Sequence, residues 1–252
     1  NAPFPPLDDM YSKSAPLVIG PHAEHPYAAP SLFNISGMSY GAISRPAVRA
    51  LSHGARKAGI WLNTGEGGLS PYHLEGGCDI VFQIGTAKYG VRDASGALSD
   101  ERLREVAAYP SVRMFELKLS QGAKPGKGGI LPAAKVTPEI AAIRGIVAGQ
   151  ASISPNRHPE TAHFGELLDM IAHIRAVTGK PAGLKTAVGS EAAMESLFEA
   201  ITARRTEEAP DLITLDGGGG GTGAAPMALV ALRPRPRRQA PPGRMRLLCA
   251  PG

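Results

Sequence analysis

The chain of 252 residues alternates short apolar runs with longer segments that have helical spacing. Six of the runs are apolar and partly β-branched, which is typical of buried strands in a parallel sheet. They lie at residues 32–36, 60–63, 79–84, 112–119, 182–187 and 211–215. Glycine-rich loops follow several of them, so the pattern predicts repeated strand–helix units around a parallel sheet.

The segments between these runs carry helix start and stop signals. Ser99 and Thr137 each precede an acidic first turn and are typical N-cap residues. The clearest amphipathic helix is predicted over 164–178, with Gly179 as its stop. A further helix is predicted over 191–205.

This alternation predicts an α/β fold of the (β/α)8 TIM-barrel type that is incomplete at the C-terminus. A closed barrel takes roughly 250 residues, yet the sixth predicted strand ends only at residue 215. The remaining residues are too few for two more strand–helix units. Residues 1–30 are rich in proline and predict an extended N-terminal arm, and residues 31–230 predict the partial barrel.

The formal net charge of +5 is concentrated at one end of the chain. Residues 231–252 contain six arginines and no acidic residue, so the remainder is close to neutral. This Arg/Pro-rich tail has no period of 2 or 3.6, and two hypotheses stay open. The first is that these residues are the rest of the barrel read out of frame. The second is that they form a basic tail that binds phosphate or nucleic acid. For the body, near neutrality and 5% aromatic residues predict no nucleic-acid partner.

Cysteine and histidine usage argues against a metal centre. Cys78 and Cys249 are too few for a disulfide framework and too far apart for a metal knuckle, and the seven histidines lack ligand spacing. No apolar run approaches the ~20 residues of a membrane span, and no secretory leader opens the sequence. We therefore expect a cytoplasmic protein without a metal ion and without a membrane partner.

A glycine-rich run, DGGGGGTGAAP, extends from Asp216 to Pro226 directly after the last predicted strand. Consecutive glycines allow backbone amides to surround an oxyanion, and the N-terminus of a following helix favours phosphate. A flexible linker is the alternative. Because Thr222 is embedded in the run and a strand precedes it, we interpret the run as a phosphate or flavin loop.

Three charged residues near strand ends are candidates for chemistry. Glu66 lies among glycines in NTGEGG (63–68), where a carboxylate either orients ammonia or an imine, accepts a proton, or ties down the loop. Strand alternation puts Lys118 on one face with Glu116, between apolar neighbours. A lysine so enclosed usually has an anionic partner. Lys185 repeats this pattern on the next strand, and we expect both lysines to face one anion.

Six motifs stand in order along the chain. They are ISGMSYGAIS (35–44), NTGEGG (63–68), QIGTAKYGV (83–91), KLSQGAKPGKGGILP (118–132), ISP (153–155) and GGTGAAP (220–226). In order and spacing they resemble the FMN-dependent synthase domain of glutamate synthases, from about residue 16 to about residue 230. The chain is similar above all to the single-domain glutamate synthase-related proteins.

The resemblance implies FMN at the carboxyl ends of the barrel strands. The implied reaction is the reduction of 2-iminoglutarate, formed from 2-oxoglutarate and ammonia, to L-glutamate in ammonia assimilation. The residues implied in catalysis are Glu66, Lys118 and Gln121. Those implied in cofactor binding are Met38, Ser39, Gln83, Lys185, Gly220, Gly221 and Thr222. Either lysine, Lys118 or Lys185, would stabilise negative charge on the reduced ring.

The chain also departs from that family. The sequence shows no N-terminal cysteine nucleophile or glutaminase domain of that family, so we expect the ammonia to come from elsewhere. The cysteine cluster that holds an iron–sulfur cluster in the family is not supported by two cysteines, so an external electron donor is expected. A non-catalytic flavin- or anion-binding fragment, inactive through truncation, is the alternative function.

Overall fold

The computed structural model of the chain describes residues 16–122 and 128–217. Their strands are β1 Leu17–Ile19, β2 Tyr27–Ala29, β3 Leu62–Asn63, β4 Ile80–Ile84, β5 Val112–Lys118, β6 Ile130–Leu131, β7 Ser152–Ile153, β8 Ala182–Ala187 and β9 Ile213–Asp216. Their α-helices are α1 Arg45–Ala58, α2 Pro71–Leu74, α3 Asp100–Ala107, α4 Pro138–Arg144, α5 Phe164–Thr178 and α6 Glu191–Thr202.

The centre of the fold is a curled five-stranded parallel sheet in the order β3-β4-β5-β8-β9. Spatial order therefore equals chain order, as in an incomplete barrel. Five of the six predicted strands are confirmed, with shorter ends at β3 and β9. The first, 32–36, is reduced to a single parallel bridge between Ile35 and Leu62. Leu32 and Phe33 are exposed there, so no packing extends the pairing.

The predicted helix signals are also confirmed. The Ser99 hydroxyl accepts a hydrogen bond from the Arg102 amide, and the Thr137 hydroxyl accepts one from the Ile140 amide. Helix α5 ends at Gly179, which has φ +68° and donates its amide to a carbonyl of the last turn. Helix α6 ends three residues earlier than expected. In the part of the chain that the structure describes, no helix is both long and apolar enough to cross a membrane.

The two faces of the sheet carry different kinds of side chain. On β4 and β5, Phe82, Ile84, Phe115 and Leu117 join the helices, mainly α3, α5 and α6, in the largest apolar core. The alternate residues of the same strands, among them Gln83, Glu116 and Lys118, point to the opposite, inner face. The helices thus stabilise the sheet while the inner face keeps buried polar side chains.

The inner face is closed at the amino ends of the strands by the β1–β2 hairpin, whose strands pair antiparallel. Its residues Ile19 and Tyr27 pack against Val81 and Met114 of the sheet. The Tyr27 hydroxyl donates to Asp79 at 3.0 Å. This hairpin therefore fills the amino ends of the inner face, and the carboxyl ends are the side on which barrels of this type carry their sites.

A long excursion, residues 119–181, separates β5 from β8. It contains the antiparallel pair β6–β7 and the helices α4 and α5. Its return to the sheet is fixed by Arg175 of α5, whose Nε lies 2.8 Å from an Asp211 carboxylate oxygen. The same guanidinium donates to the carbonyls of Glu207 and Ala209. Both side chains of the ion pair are buried, so their desolvation is balanced only while the pair is intact.

Two histidines among the described residues are buried. His73, in a capping box with Ser70 at the start of α2, has its Nε2 2.8 Å from the Met38 carbonyl. His158 has its Nε2 2.9 Å from the Lys118 carbonyl. Burial lowers the pKa of both imidazoles, and the hydrogen bonds to the carbonyls oppose this shift. Each ring is therefore most stable in its neutral form.

Replacing Asp211 by alanine should lower the free energy of unfolding by about 3–5 kcal/mol, because it leaves a buried guanidinium without its counter-charge. Asp169, whose exposed side chain pairs with Arg204, provides the matched control. Asp169→Ala should change stability little. Urea unfolding of the two variants measures both effects. Equal losses would contradict a special role for the buried pair.

The buried histidines predict a pH dependence. With folded pKa values below the ordinary 6.5, the unfolded chain binds more protons than the folded chain near that pH. Stability should therefore be constant above pH 7 and fall as the pH drops below about 6.5, by at most about 1.4 kcal/mol per pH unit for each histidine. The variant with both His73→Gln and His158→Gln should lose this slope. Replacing the exposed His25 should retain it, and an unchanged slope in the double variant would refute the assignment.

Candidate active site

The loop after β3 carries Glu66 and is shaped by glycines. The Asn63 side-chain oxygen accepts from the Gly65 amide at 2.9 Å, and Gly65 has φ +65°. A Cβ on Gly67 would lie 2.2 Å from the Ser39 hydroxyl, and one on Gly65 would lie 2.8 Å from the Ser39 amide nitrogen. The NTGEGG motif thus lets two loops approach closely and holds the Glu66 carboxylate at the carboxyl end of the sheet.

Lys118, the last residue of β5, connects two of the predicted catalytic residues. Its ammonium lies 3.1 Å from a Glu66 carboxylate oxygen and donates to the Gln121 side-chain oxygen at 2.9 Å. The lysine side chain is 9% exposed and that of Glu66 is 20% exposed. The three residues that sequence reasoning assigned to catalysis therefore form one half-buried cluster, called the Lys118 cluster below.

Lys185 of β8 is paired in register with Lys118 across the sheet. Its ammonium lies 3.4 Å from an Asp216 carboxylate oxygen at the end of β9. The other Asp216 oxygen accepts from the Gly122 amide at 2.9 Å and ties the loop after β5 to β9. Two neighbouring lysines with separate carboxylates give this edge of the sheet alternating charges.

Glu116 lies below the lysines on the inner face and is 3% exposed. Its carboxylate accepts from the Asn63 amide at 2.8 Å, the Gln83 amide at 2.6 Å and the Thr214 hydroxyl at 2.7 Å. These donors come from β3, β4 and β9. The sequence prediction placed Glu116 on the inner face but gave it no role. The sequence did contain a signal for such a role, because Glu116, like Lys118, is a charged residue between two apolar residues on a predicted buried strand.

The segment with Met38 and Ser39 packs on the Glu66 loop. The Met38 amide donates to the Asn63 carbonyl at 3.0 Å, and the Met38 carbonyl oxygen lies 2.8 Å from Nε2 of His73. The Ser39 hydroxyl oxygen is buried and has no hydrogen-bond partner among residues 16–122 and 128–217. A buried hydroxyl without a partner is costly, so Ser39 is suited to bind a ligand group.

Arg144, at the end of α4, is a buried cation that sequence reasoning missed. Its guanidinium stacks over the Tyr89 ring at 4.9 Å and donates to the Tyr40 carbonyl at 3.2 Å. Its Nε is buried without a hydrogen-bond partner among the described residues. Burial lowers the pKa of this guanidinium, and Tyr89 and Glu66 oppose the shift. In the sequence, Arg144 is simply a basic residue in the last turn of a helix, which is common, so the sequence did not mark it as a site residue.

The remaining predicted cofactor residues, Gly220, Gly221 and Thr222, lie outside the described residues, as does the tail 231–252. The structure brings Glu66, Lys118 and Gln121 into contact and packs Met38 and Ser39 against the Glu66 loop. Gln83 is joined to that loop through Glu116 and Asn63, and Lys185 lies on the adjacent strand. Within the described ranges, no group of three or more histidine, cysteine or acidic residues is arranged to hold a metal ion.

Residues 9–241 match the protein family described as the conserved region in glutamate synthase. This range includes all the described residues and the first part of the Arg/Pro-rich tail. The match therefore covers the Lys118 cluster, Arg144 and both lysines in one continuous segment.

Individual relatives agree. The glutamate synthase large subunit-like protein YerD of Bacillus subtilis is 44% identical over 82% of this chain and 39% of its own length. The archaeal-type glutamate synthase [NADPH] of Thermotoga sp. is 36% identical over 76% of this chain and 34% of its own. The archaeal glutamate synthase [NADPH] of Archaeoglobus fulgidus is also 36% identical, over 76% of this chain and 34% of its own length. The chain thus spans about two fifths or less of these relatives, and it belongs to the glutamate synthase family.

Proposed function

We propose that the chain provides part of an FMN-dependent oxidoreductase site that reduces 2-iminoglutarate, formed from 2-oxoglutarate and ammonia, to L-glutamate. The observation that carries this proposal is the Lys118 cluster, in which one buried ammonium lies between Glu66 and Gln121 at the carboxyl end of the sheet. Family membership supports the same reaction class. The fold we propose is the FMN-binding (β/α)8 barrel, with residues 31–230 as its partial barrel.

The inner face suits a flavin ring. Gly65 and Gly67 bring two loops to within a distance that a side chain would prevent, and Ser39 offers a buried hydroxyl that lacks a partner among the described residues. When bound, FMN supplies the hydride of the reaction. Lys118 and Lys185 would hold it from the adjacent strands, because neighbouring cations favour the negative charge of a reduced ring. Met38 and Gln83 would contribute the remaining contacts, together with Gly220, Gly221 and Thr222.

The substrate is a dicarboxylate, and the site offers cationic and amide donors for it. Arg144 presents a fixed fork of donors, of which Nε is unused by the described residues. The Gln121 amide nitrogen is available because its oxygen accepts from Lys118. Arg144 and Gln121 would therefore orient the two carboxylates, which decides the face of the imine that is reduced.

Glu66 is placed to handle protons and ammonia. Its carboxylate would hold ammonia or the iminium nitrogen by charge-assisted hydrogen bonds, while Lys118 lies 3.1 Å from one of its oxygens. Addition of ammonia to the 2-oxo carbon releases water, and the imine carbon then accepts a hydride while its nitrogen keeps or gains a proton. Electrons and ammonia would come from partners outside the described residues, with a cytoplasmic setting and no nucleic-acid or membrane partner proposed.

Addition of FMN to the purified full chain tests this proposal. We expect stoichiometric flavin binding with a perturbed visible spectrum, and reoxidation of the photoreduced flavin by 2-oxoglutarate with ammonium under anaerobic conditions. Lys118→Met should weaken FMN binding by about tenfold or more, because a charge-assisted contact is lost. Lys135→Met, at an exposed position, is the matched control. Flavin binding without reoxidation would support the non-catalytic fragment instead, and absence of binding would refute both the proposed function and the flavin-binding alternative.

A second variant separates binding from chemistry. Glu66→Gln keeps the shape of the side chain but removes its charge, so FMN affinity should stay within about threefold while the rate of reoxidation falls by about 10²–10⁴. Stopped-flow absorbance measures the rate, and fluorescence quenching measures the affinity. A normal rate in this variant would exclude Glu66 from the reaction.

A further inference from the structure

The buried carboxylate of Glu116 carries an inference about the polarity of the site. Its two oxygens receive three hydrogen bonds, two of them at one oxygen, from side chains on three other strands. Glu116 is 3% exposed, so these bonds replace its hydration almost completely. A buried charge solvated in this way is worth more than its separate contacts, because removing it leaves three donors unsatisfied.

A carboxylate only accepts hydrogen bonds, and this fixes the orientation of both amides beside it. Asn63 and Gln83 must turn their NH2 groups toward Glu116, so their carbonyl oxygens point elsewhere. The Asn63 oxygen is used by the Gly65 amide and shapes the Glu66 loop. The Gln83 oxygen receives no hydrogen bond from the residues that the structure describes.

We propose that Glu116 is a positioning residue that holds Gln83 with its carbonyl oxygen available to a ligand, so that the site selects a ligand group with an N–H donor. This inference rests on the proposed function, because the imide of the FMN ring is such a donor. Through Asn63 the same carboxylate also holds the loop of Glu66. One buried charge thus orients the residue that would recognise the ring and the residue that would handle the proton.

Glutamine at position 116 would keep this orientation without the charge. Its side-chain oxygen can accept from Asn63 and Gln83 while its NH2 group donates to the Thr214 hydroxyl. Hydrogen bonds to an ionised acceptor are about twice as strong as neutral ones, so the amides would be held less firmly. Leucine at the same position offers neither amide an acceptor, so the Gln83 amide could turn over and present NH2 to the ligand.

The test compares FMN with FMN methylated at the imide nitrogen, which has lost the donor. Fluorescence quenching with the full 252-residue chain gives both dissociation constants. We expect the methylated form to bind about tenfold or more weakly, as for an unpaired buried acceptor. In Glu116→Leu, FMN affinity should fall and the preference should shrink to about twofold or less, whereas Glu116→Gln should keep the preference because it still accepts from both amides. Thr214→Val, which removes only the third donor, should keep the preference.

Equal binding of the two flavins by the unmodified chain would overturn the inference, as would a full preference retained in Glu116→Leu. Gln83→Met covers the case in which Glu116→Leu does not fold, because it leaves Glu116 its bonds to Asn63 and Thr214. This variant should lose the preference. If it keeps the preference, the methyl group is excluded by its size and the inference fails. Failure to bind FMN at all would remove the proposed function as well, whereas binding without preference removes only the role of Glu116.

Discussion

In-register pairing of parallel strands is the constraint on which the rest of the structure depends. It places every carboxyl end of the sheet at one edge and every second side chain on the inner face. Glu116, Gln83 and Lys185 come from distant parts of the sequence and meet there for that reason. Polar groups without water must satisfy one another, so the charges on this face are coupled through bonds between strands.

Most of the fold could be predicted from the sequence because its signals are local. The apolar runs, the N-caps Ser99 and Thr137 and the stop at Gly179 all correspond to observed elements. The strand predicted at 32–36 was too long, since an apolar run forms a strand only where a neighbour pairs with it. The β1–β2 hairpin lacked a local signal, because its buried residues are fixed by packing on Val81 and Met114.

Some residues of the candidate site could likewise be identified from the sequence, and others could not. Glu66 and Lys118 could be proposed from a glycine-flanked loop and from a charge on a buried strand, and Gln121 from the family resemblance. The structure places Lys118 in contact with both of the others. Arg144 and His73 could not, because each satisfies an ordinary local rule: one is a basic residue ending a helix, the other a side chain in a cap. Their importance arises from tertiary contacts with Tyr89 and Met38, which no local pattern encodes.

The excursion 119–181 also bears on the order in which the chain assembles. Strands β3, β4 and β5 are close in sequence and close short loops, whereas the pairing of Phe115 with Ala182 must close the whole excursion. Loop-closure entropy delays such distant pairings. The half of the inner face with Glu66 and Lys118 is therefore expected to form before β8 delivers Lys185, so the second cation reaches its place late in folding. The kinetics of folding, more than its equilibrium, would then govern when a newly made chain becomes able to hold an anionic ligand.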